Sequence, residues 1–104
     1  MDRINRLLQK KFNATAIQTY EPMLKTIWDA QNDICPISGI VIIPGKTGSL
    51  DHIVPVSRGG DNSKGNLRFV HKAINQMKGD FTDEELKSFL QEALPNIAKW
   101  ASES

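Results

Sequence analysis

The alternation of apolar and polar positions predicts two helices in the first third of the chain, within residues 2–32. Asp2 is a suitable N-cap for a first helix whose apolar side is formed by Ile4, Leu7, Leu8 and Phe12. A second helix is expected to begin near Pro22, because proline is well tolerated in a first turn, and to end near Asn32. Its apolar positions are Met23, Leu24, Ile27 and Trp28. We interpret both helices as packing elements.

The middle of the chain, from about residue 34 to residue 80, has a different pattern. β-branched residues in 40–43 and again in 50–56 indicate extended segments. Residues 57–65 are rich in glycine and small polar residues, which is typical of an irregular surface loop. A helix ending at Gly79 follows, with a predicted buried stripe of Val70, Ala73, Ile74 and Met77. Strands and helices together predict the α+β fold class.

The last part of the chain has the clearest amphipathic helix, which we predict to span residues 82–94. Thr82 and Glu85 have the spacing of a capping box, in which each side chain binds a backbone N–H at the start of the helix. Pro95 is expected to end or interrupt this helix. Its apolar positions are Leu86, Phe89, Leu90, Ala93 and Leu94. This helix is also interpreted as a packing element.

Length and composition favour one small domain covering residues 1–104. The chain has 104 residues, 39% of them hydrophobic, which is enough for one compact core. Cys35 is the only cysteine, so an intramolecular disulfide is excluded and a reducing compartment is expected. The apolar runs are too short for a signal peptide or a membrane span. We therefore expect a protein that is not secreted and has no membrane partner, in the cytoplasm of a bacterium or phage-infected cell.

The distribution of charge is more informative than the net charge of +1, which by itself does not indicate a nucleic-acid partner. Basic residues are concentrated in the middle of the chain, and acidic residues near its end. The candidate phosphate contacts are Arg58, Lys64, Arg68, Lys72 and Lys78. A second basic face, on the first predicted helix, has Arg3, Arg6 and Lys10. For each group the alternative is a solvated surface, and Lys78 could also serve only the helix dipole.

Residues of three chemical types in the middle segment suit phosphodiester hydrolysis. This reaction needs an activated water, a cation that neutralises the phosphate, and stabilisation of the leaving oxygen. Imidazole exchanges protons near neutral pH, so His52 can act as a base. Asp51 and the amide oxygen of Asn75 are hard ligands of the kind that magnesium takes. Adjacent strand residues face opposite sides, so Asp51 and His52 can act together only where a strand ends or twists.

The segment LDHIVPVSRGGDNSKGNLRFVHKAINQMKGD resembles the HNH endonucleases, which are built on the ββα-metal finger, and MLKTIWDAQNDICPISG resembles the usual lead-in to that finger. The resemblance implies that His52 is the general base and that Asp51 and Asn75 hold the metal. The middle Asn of the motif matches Asn66, which in the family braces the loop and helps to orient the base. A backbone carbonyl in that loop is expected to receive one ring N–H of His52. Asn62 is interpreted as a turn residue.

The resemblance implies that the protein is an endonuclease and that it cuts DNA, which we expect to be double-stranded. It would use one Mg²⁺ ion, for which Mn²⁺ can substitute, and leave 3′-hydroxyl and 5′-phosphate ends. Two alternatives stay open: a non-catalytic nucleic-acid-binding finger, and a catalytic domain that a partner protein targets. A homodimer or successive nicks could both give a double-strand cut. Phage, intron-homing, restriction, packaging and repair roles also stay open.

One departure from the family pattern concerns a structural zinc site. Many relatives have two Cys-x-x-Cys pairs, and the matching positions here are Cys35, Ser38, His71 and Ile74. Serine and isoleucine cannot complete a tetrahedral zinc site, so packing is expected to replace the metal. Cys35 is then interpreted as a small buried apolar residue, and His71 as a solvated helix residue. An Asn rather than a His at position 75 is a known variant of the family.

Overall fold

In the computed structural model of the protein, the structure describes the backbone of residues 14–103 and side chains from Pro22 onward. The elements in chain order are α1 (Ala14–Ala30), β1 (Gly48–His52), β2 (Leu67–His71), α2 (Lys72–Lys78) and α3 (Asp83–Ser102). This order of two strands and a helix, with helices on both sides, confirms the predicted α+β class and the ββα arrangement. The first predicted helix, with its apolar stripe and its basic face of Arg3, Arg6 and Lys10, lies outside the described residues.

Helix α1 corrects the prediction that a helix begins near Pro22, because the helix begins at Ala14 and has Pro22 in its interior. An interior proline removes one backbone hydrogen bond, but burial of the following apolar residues can outweigh that loss. Leu24, Ile27 and Trp28 are buried as predicted. The chain then turns at Asn32 and Asp33, whose positive φ angles are tolerated best by these residue types.

The two strands form an antiparallel hairpin in which Gly48 lies opposite His71 and His52 lies opposite Leu67. The expected strand at residues 40–43 is wrong, since the described contact there is a single bridge between Ile34 and Val41. The expected strand at residues 50–56 begins earlier and ends at His52. It ends there because the Ile53 carbonyl and the Val54 N–H bind side chains of the finger instead of a neighbouring strand.

Helix α2 is shorter than predicted, because Val70 belongs to β2. Gly79 follows the helix with a φ of 50°, a conformation that favours glycine, which fits the predicted stop. The predicted buried stripe is wrong in part, because Ala73 and Met77 are exposed and Ile74 is only partly buried. The fully buried residue of α2 is Lys78. A polar contact rather than apolar packing therefore determines how this end of the helix lies on the hairpin.

Helix α3 begins with the predicted capping box, in which Thr82 and Glu85 each bind the other's backbone N–H. The prediction that Pro95 ends or interrupts the helix is wrong, because one continuous helix extends to Ser102 with Pro95 in its interior. Among its apolar positions Leu86 is buried, whereas Phe89 and Leu94 are about half exposed, at 47% and 51%. No helix in the described part of the chain is both long and apolar enough to cross a bilayer.

The core lies between α1 and the hairpin. Trp28 and Phe69 meet edge to face with ring centroids 4.9 Å apart, a favourable geometry for aromatic pairs. The Gln31 side chain exchanges two hydrogen bonds of 2.8 Å with the backbone of Phe69, which fixes the end of α1 against β2. The buried apolar cluster is Leu24, Ile27, Trp28, Cys35, Ile42, Leu50, Leu67, Phe69 and Val70. This packing holds the hairpin whose far end forms the site.

Candidate active site

The end of strand β1 brings Asp51 and His52 to the same pocket. Neighbouring strand residues normally face opposite sides, but β1 ends at His52, as the sequence required for a shared site. The pocket has a volume of about 310 Å³ and is lined by Asp51, His52, Pro55, Val56, Ser57, Asn75, Gly79 and Asp80. All three residues expected to act on water or metal, Asp51, His52 and Asn75, therefore lie around one pocket.

Asp51 is only 3% exposed and is bound by two cations. The Lys78 ammonium lies 3.0 Å from Asp51 Oδ1 and 3.2 Å from Oδ2. Arg68, opposite Asp51 in the hairpin, donates from Nε to Oδ2 at 2.8 Å. Its two Nη groups donate to Asp83 at 3.0 and 2.7 Å. We call Asp51, Arg68, Lys78 and Asp83 the charge cluster, and each of its members comes from a different element: β1, β2, α2 and α3.

Electrostatics in the charge cluster favour the ionised forms of Arg68 and Asp83. Burial raises the pKa of the Asp83 carboxyl, but hydrogen bonds and charge from Arg68 outweigh this and hold that pKa below its ordinary value. Burial lowers the pKa of Arg68, but the hydrogen bonds and charges of Asp83 and Asp51 outweigh it, and the net shift is upward. The Arg68–Asp83 pair is therefore charged on both sides at neutral pH.

Lys78 has a second role at the end of β1. Its Nζ also donates to the backbone carbonyls of His52 and Ile53, at 2.8 and 3.0 Å. An ammonium group has three protons to donate, so these carbonyls and the Asp51 carboxylate use its full capacity. Carbonyls that would otherwise need a strand partner are thereby satisfied inside the protein. Lys78 therefore fixes the backbone next to His52.

Two of the five predicted phosphate contacts are therefore corrected. Lys78 is 1% exposed and Arg68 has a side chain only 15% exposed, and both are paired with carboxylates inside the fold. Arg58 is on the surface, where it pairs with Glu85 at 2.9 Å. Lys64 and Lys72 are exposed. The structure thus leaves Lys64 and Lys72, with Arg58 partly neutralised, as the cations accessible to a phosphate among the five.

His52 meets the loop between the strands through its Nε2 atom, which lies 2.6 Å from the side-chain oxygen of Asn62. We expected a backbone carbonyl to hold a ring N–H, and at Nε2 the acceptor is a side-chain amide instead. Asn62 was interpreted from the sequence only as a turn residue. Its sole signal was its position in a polar loop, and nothing in the spacing connects it with a histidine ten residues earlier.

Asn66 braces the same loop from its other end. Its Oδ1 accepts from Val54 N at 2.7 Å, and its Nδ2 donates to the carbonyls of Val54 and Asp61 at 3.1 and 2.8 Å. Gly60 allows the two sides of the loop to approach, because a Cβ atom there would lie 1.7 Å from the Val54 carbonyl oxygen. The structure thus gives Asn66 the loop contacts that the resemblance implied.

Asn75 and Asp80 add oxygen atoms to the pocket. The Asn75 side-chain NH₂ donates to Ser49 Oγ at 2.7 Å and to the Leu50 carbonyl at 3.1 Å, which fixes the amide so that its oxygen is the atom that could bind a cation. Asp80 is exposed and lines the same pocket. Asp80 directly follows the Asn-x-x-Lys-Gly motif, although we did not predict it as a site residue.

Which metal these residues could hold depends on their donor atoms. A group of three or more His, Cys, Asp or Glu side chains fit to hold a metal is absent among the described residues. Asp51 accepts three bonds, and a carboxylate offers about four lone-pair sites, so one remains for a cation. Asn75 lines the same pocket and has an amide oxygen as a second possible donor. Two oxygen donors with water fit a hard ion such as magnesium, held weakly.

The positions that match the family's zinc ligands have other roles here. Cys35 is fully buried in the core, as expected, and its sulfur accepts from Ser38 N at 3.4 Å. His71 is not the solvated helix residue that we expected, because it is the N-cap of α2. Its Nδ1 accepts from the backbone N–H of Ala73 at 3.1 Å. Cys35 and His71 thus serve packing and helix capping.

Comparison with known proteins supports the resemblance. No curated protein sequence matches this chain significantly. Residues 35–83 match the family described as HNH endonuclease. The matched segment begins at the buried Cys35 and ends at Asp83 of the charge cluster, so it contains the hairpin, the loop, α2 and the whole pocket. Residues 35–83 of this chain therefore belong to the HNH endonuclease family.

Proposed function

We propose that the protein is a metal-dependent endonuclease that hydrolyses phosphodiester bonds in double-stranded DNA, with His52 as its general base. The observation that carries this proposal is the pocket at the end of β1, where His52 lies beside oxygen donors from Asp51 and Asn75. A nucleophilic water needs a base on one side and a neutralised phosphate on the other. Membership of residues 35–83 in the HNH family supports the same reaction.

In the proposed reaction His52 accepts a proton from water, and the resulting hydroxide attacks phosphorus. The bond from phosphorus to the 3′ oxygen breaks, and that oxygen takes a proton from solvent, which leaves 3′-hydroxyl and 5′-phosphate ends. Asp51 and Asn75 would hold a divalent cation, Mg²⁺ or Mn²⁺, which when bound neutralises the phosphate and stabilises the leaving oxygen. Lys64 and Lys72, both exposed on the finger, would bind phosphates near the cut.

The charge cluster bears on how tightly a metal is held. Lys78 and Arg68 both lie within 3.2 Å of the Asp51 carboxylate and neutralise it in part. A cation approaching Asp51 therefore meets two positive charges, which lowers its affinity. We expect cleavage to need free Mg²⁺ in excess, and EDTA to stop cleavage without unfolding the protein.

One observation favours a second candidate, a finger that binds DNA without cutting it. If the pairing of Asp51 with Lys78 and Arg68 excludes a cation completely, the remaining site has an imidazole but no neutralised phosphate. Binding would then depend on the exposed lysines alone. The retention of His52 and Asn75 around one pocket favours catalysis, because DNA binding alone requires neither residue.

The test is incubation with supercoiled plasmid in Mg²⁺, in Mn²⁺ and in EDTA, with circular dichroism recorded in each buffer. We expect cleavage in the metal buffers, none in EDTA, and unchanged spectra throughout. The ratio of nicked to linear plasmid over time distinguishes single nicks from paired cuts by a dimer. Plasmid that is shifted on a gel but never cut in either metal would contradict the nuclease proposal and support the binding finger.

A further inference from the structure

We propose that Asn62 is a positioning residue for His52, and that its side-chain oxygen keeps the imidazole proton on Nε2. The lone pair of the neutral ring then lies on Nδ1, the atom that would accept the proton from water. This inference rests on the proposed function for its catalytic meaning, but the contact itself is independent of any reaction.

The chemistry of the contact determines where the proton lies. Nε2 of His52 and Oδ1 of Asn62 are 2.6 Å apart, which is hydrogen-bond distance. An amide oxygen has no hydrogen and can only accept, so Nε2 must be the donor. In a neutral imidazole one nitrogen donates and the other accepts, so protonation of Nε2 leaves the lone pair on Nδ1.

Asn62 is held in place by its two neighbours. The Asp61 carboxylate accepts from the backbone N–H of Ser63 at 3.1 Å and from its hydroxyl at 2.6 Å. The Asp61 carbonyl accepts from Asn66 Nδ2 at 2.8 Å. Both sides of the Asn62 backbone are therefore tied, and Asn62 itself is half-buried. A tied backbone and a half-buried side chain hold the amide oxygen at a fixed place opposite His52.

Asn66 can help to orient His52 indirectly, because it binds Asp61, and the next residue, Asn62, contacts the imidazole. Asn66 also connects the two strands here, since its carbonyl accepts from Ile53 N at 2.9 Å while its side chain binds Val54. The order of contacts is therefore Asn66 to Asp61, then Asn62, then His52. The middle Asn of the motif orients the loop, and Asn62 makes the contact with the imidazole.

An amide suits this position better than a carboxylate. A carboxylate next to His52 would favour the charged imidazolium, which has no lone pair to accept a proton. A neutral amide orients the ring and selects the tautomer without adding a charge. The hydrogen bond at Nε2 of His52 thus comes from an uncharged group, whereas the neighbouring Asp51 is bound by two charged side chains.

The direct test is a long-range ¹H–¹⁵N spectrum of the histidine rings at alkaline pH, where imidazole is neutral. The chain has two histidines, His52 and His71, so assignment is simple. His71 accepts through Nδ1 from Ala73 N and serves as an internal reference for the tautomer with its proton on Nε2. We expect His52 to show the same tautomer, and a His52 proton on Nδ1 in the wild-type protein would overturn the proposal without any variant.

The variants separate positioning from folding. Asn62→Ala should give a mixture of His52 tautomers and reduce single-turnover cleavage at saturating DNA roughly tenfold to a hundredfold, the usual effect of losing a partner that orients a functional imidazole. Asn62→Asp keeps an acceptor and should keep the proton on Nε2. Lys64→Ala changes an exposed side chain of the same loop and is the control for the NMR measurement, in which it should keep the wild-type tautomer.

The two proposals fail in different ways. If the His52 tautomer and the cleavage rate are both unchanged in Asn62→Ala, the positioning role is wrong while the nuclease proposal stands. If Asn62→Ala mixes the tautomers but the wild-type protein never cuts DNA, the contact is as proposed and the nuclease function is wrong.

Discussion

Asp51 and His52 are neighbours in the chain, yet their surroundings have opposite character. Asp51 is 3% exposed and lies in a closed cluster of two carboxylates and two cations. His52 is half-buried and meets a loop through an uncharged amide. The buried ion pairs of the site thus lie on the Asp51 side of the strand end, where they join four elements. On the other side, an uncharged amide holds the His52 imidazole at the edge of the pocket.

This difference indicates that stability and reactivity depend on different residues of the same motif. Removing one partner of a buried ion pair leaves an uncompensated charge, which is strongly destabilising. Removing a half-buried histidine at the edge of a pocket leaves no such charge. We therefore expect substitutions on the Asp51 side to change mainly stability, and substitution of His52 to change mainly activity.

The largest stability effect is expected for Lys78→Met. The substitution leaves Asp51 buried beside Arg68 alone and leaves the carbonyls of His52 and Ile53 without their donor. Loss of one member of a buried pair typically costs about 3 to 5 kcal/mol of unfolding free energy. Lys72→Met in the same helix is the matched control, since an exposed substitution usually changes stability by less than about 0.5 kcal/mol.

Urea unfolding of both variants measures the difference. Equal free energies of unfolding for the variants at positions 78 and 72 would mean that the buried contacts of Lys78 do not stabilise the fold. The expectation that the Asp51 side determines stability would then be wrong.

A smaller effect is expected at the other end of the cluster, for Asp83→Asn. The variant keeps the size of the side chain but loses charge-assisted hydrogen bonds with Arg68, which typically contribute about 1 to 3 kcal/mol. Because the folded-state pKa of Asp83 is below its unfolded value, its contribution is present at neutral pH and is lost as the pH falls through the folded-state pKa. Thermal unfolding across an acid pH series should therefore show a steeper loss for wild type than for the variant, and parallel curves would contradict this.

The smallest effects concern DNA binding by the exposed cations. Each lysine that neutralises a phosphate contributes roughly one unit to the slope of log affinity against log salt concentration. Lys64→Ala and Lys72→Ala should each make the slope shallower by about this amount. Arg58→Ala should change it less, because Glu85 already neutralises Arg58 in part.

Lys25→Ala is the control for these binding measurements, because Lys25 is exposed on α1 and pairs with Asp29 away from the finger. A salt series by fluorescence anisotropy would measure all four variants. Unchanged slopes for both finger lysines would mean that DNA is bound elsewhere.

Local signals made several parts of the fold predictable from the sequence. The capping box of Thr82 and Glu85 and the Gly79 stop depend on contacts within a few residues, and both are present. The predicted helix boundaries at the two prolines were wrong, because the length of a helix also depends on its packing, which is not a local property. Pro22 and Pro95 each lie inside a helix that continues on both sides of the proline.

The site residues that belong to the motif could be predicted from the sequence, whereas the residues whose roles depend on long-range contacts could not. Asp51, His52 and Asn75 lie around one pocket as the motif implied. Lys78 was misassigned as a phosphate contact because its partner Asp51 is 27 positions away in the sequence, and spacing cannot show that an ammonium turns inward. Asn62 was missed because a polar loop contains many equivalent candidates until the fold places one of them 2.6 Å from the imidazole.

The central claim is tested most directly by His52→Ala, measured in parallel for plasmid cleavage and for unfolding free energy. Loss of a general base should slow cleavage by roughly two to four orders of magnitude. The free energy of unfolding should change by less than about 1 kcal/mol, because the substitution leaves no buried charge without its partner. His71→Ala is the converse control, since loss of the N-cap of α2 should cost about 0.5 to 2 kcal/mol and leave cleavage near wild type. Wild-type cleavage by the His52 variant, or its unfolding under conditions where the wild type is folded, would contradict the account.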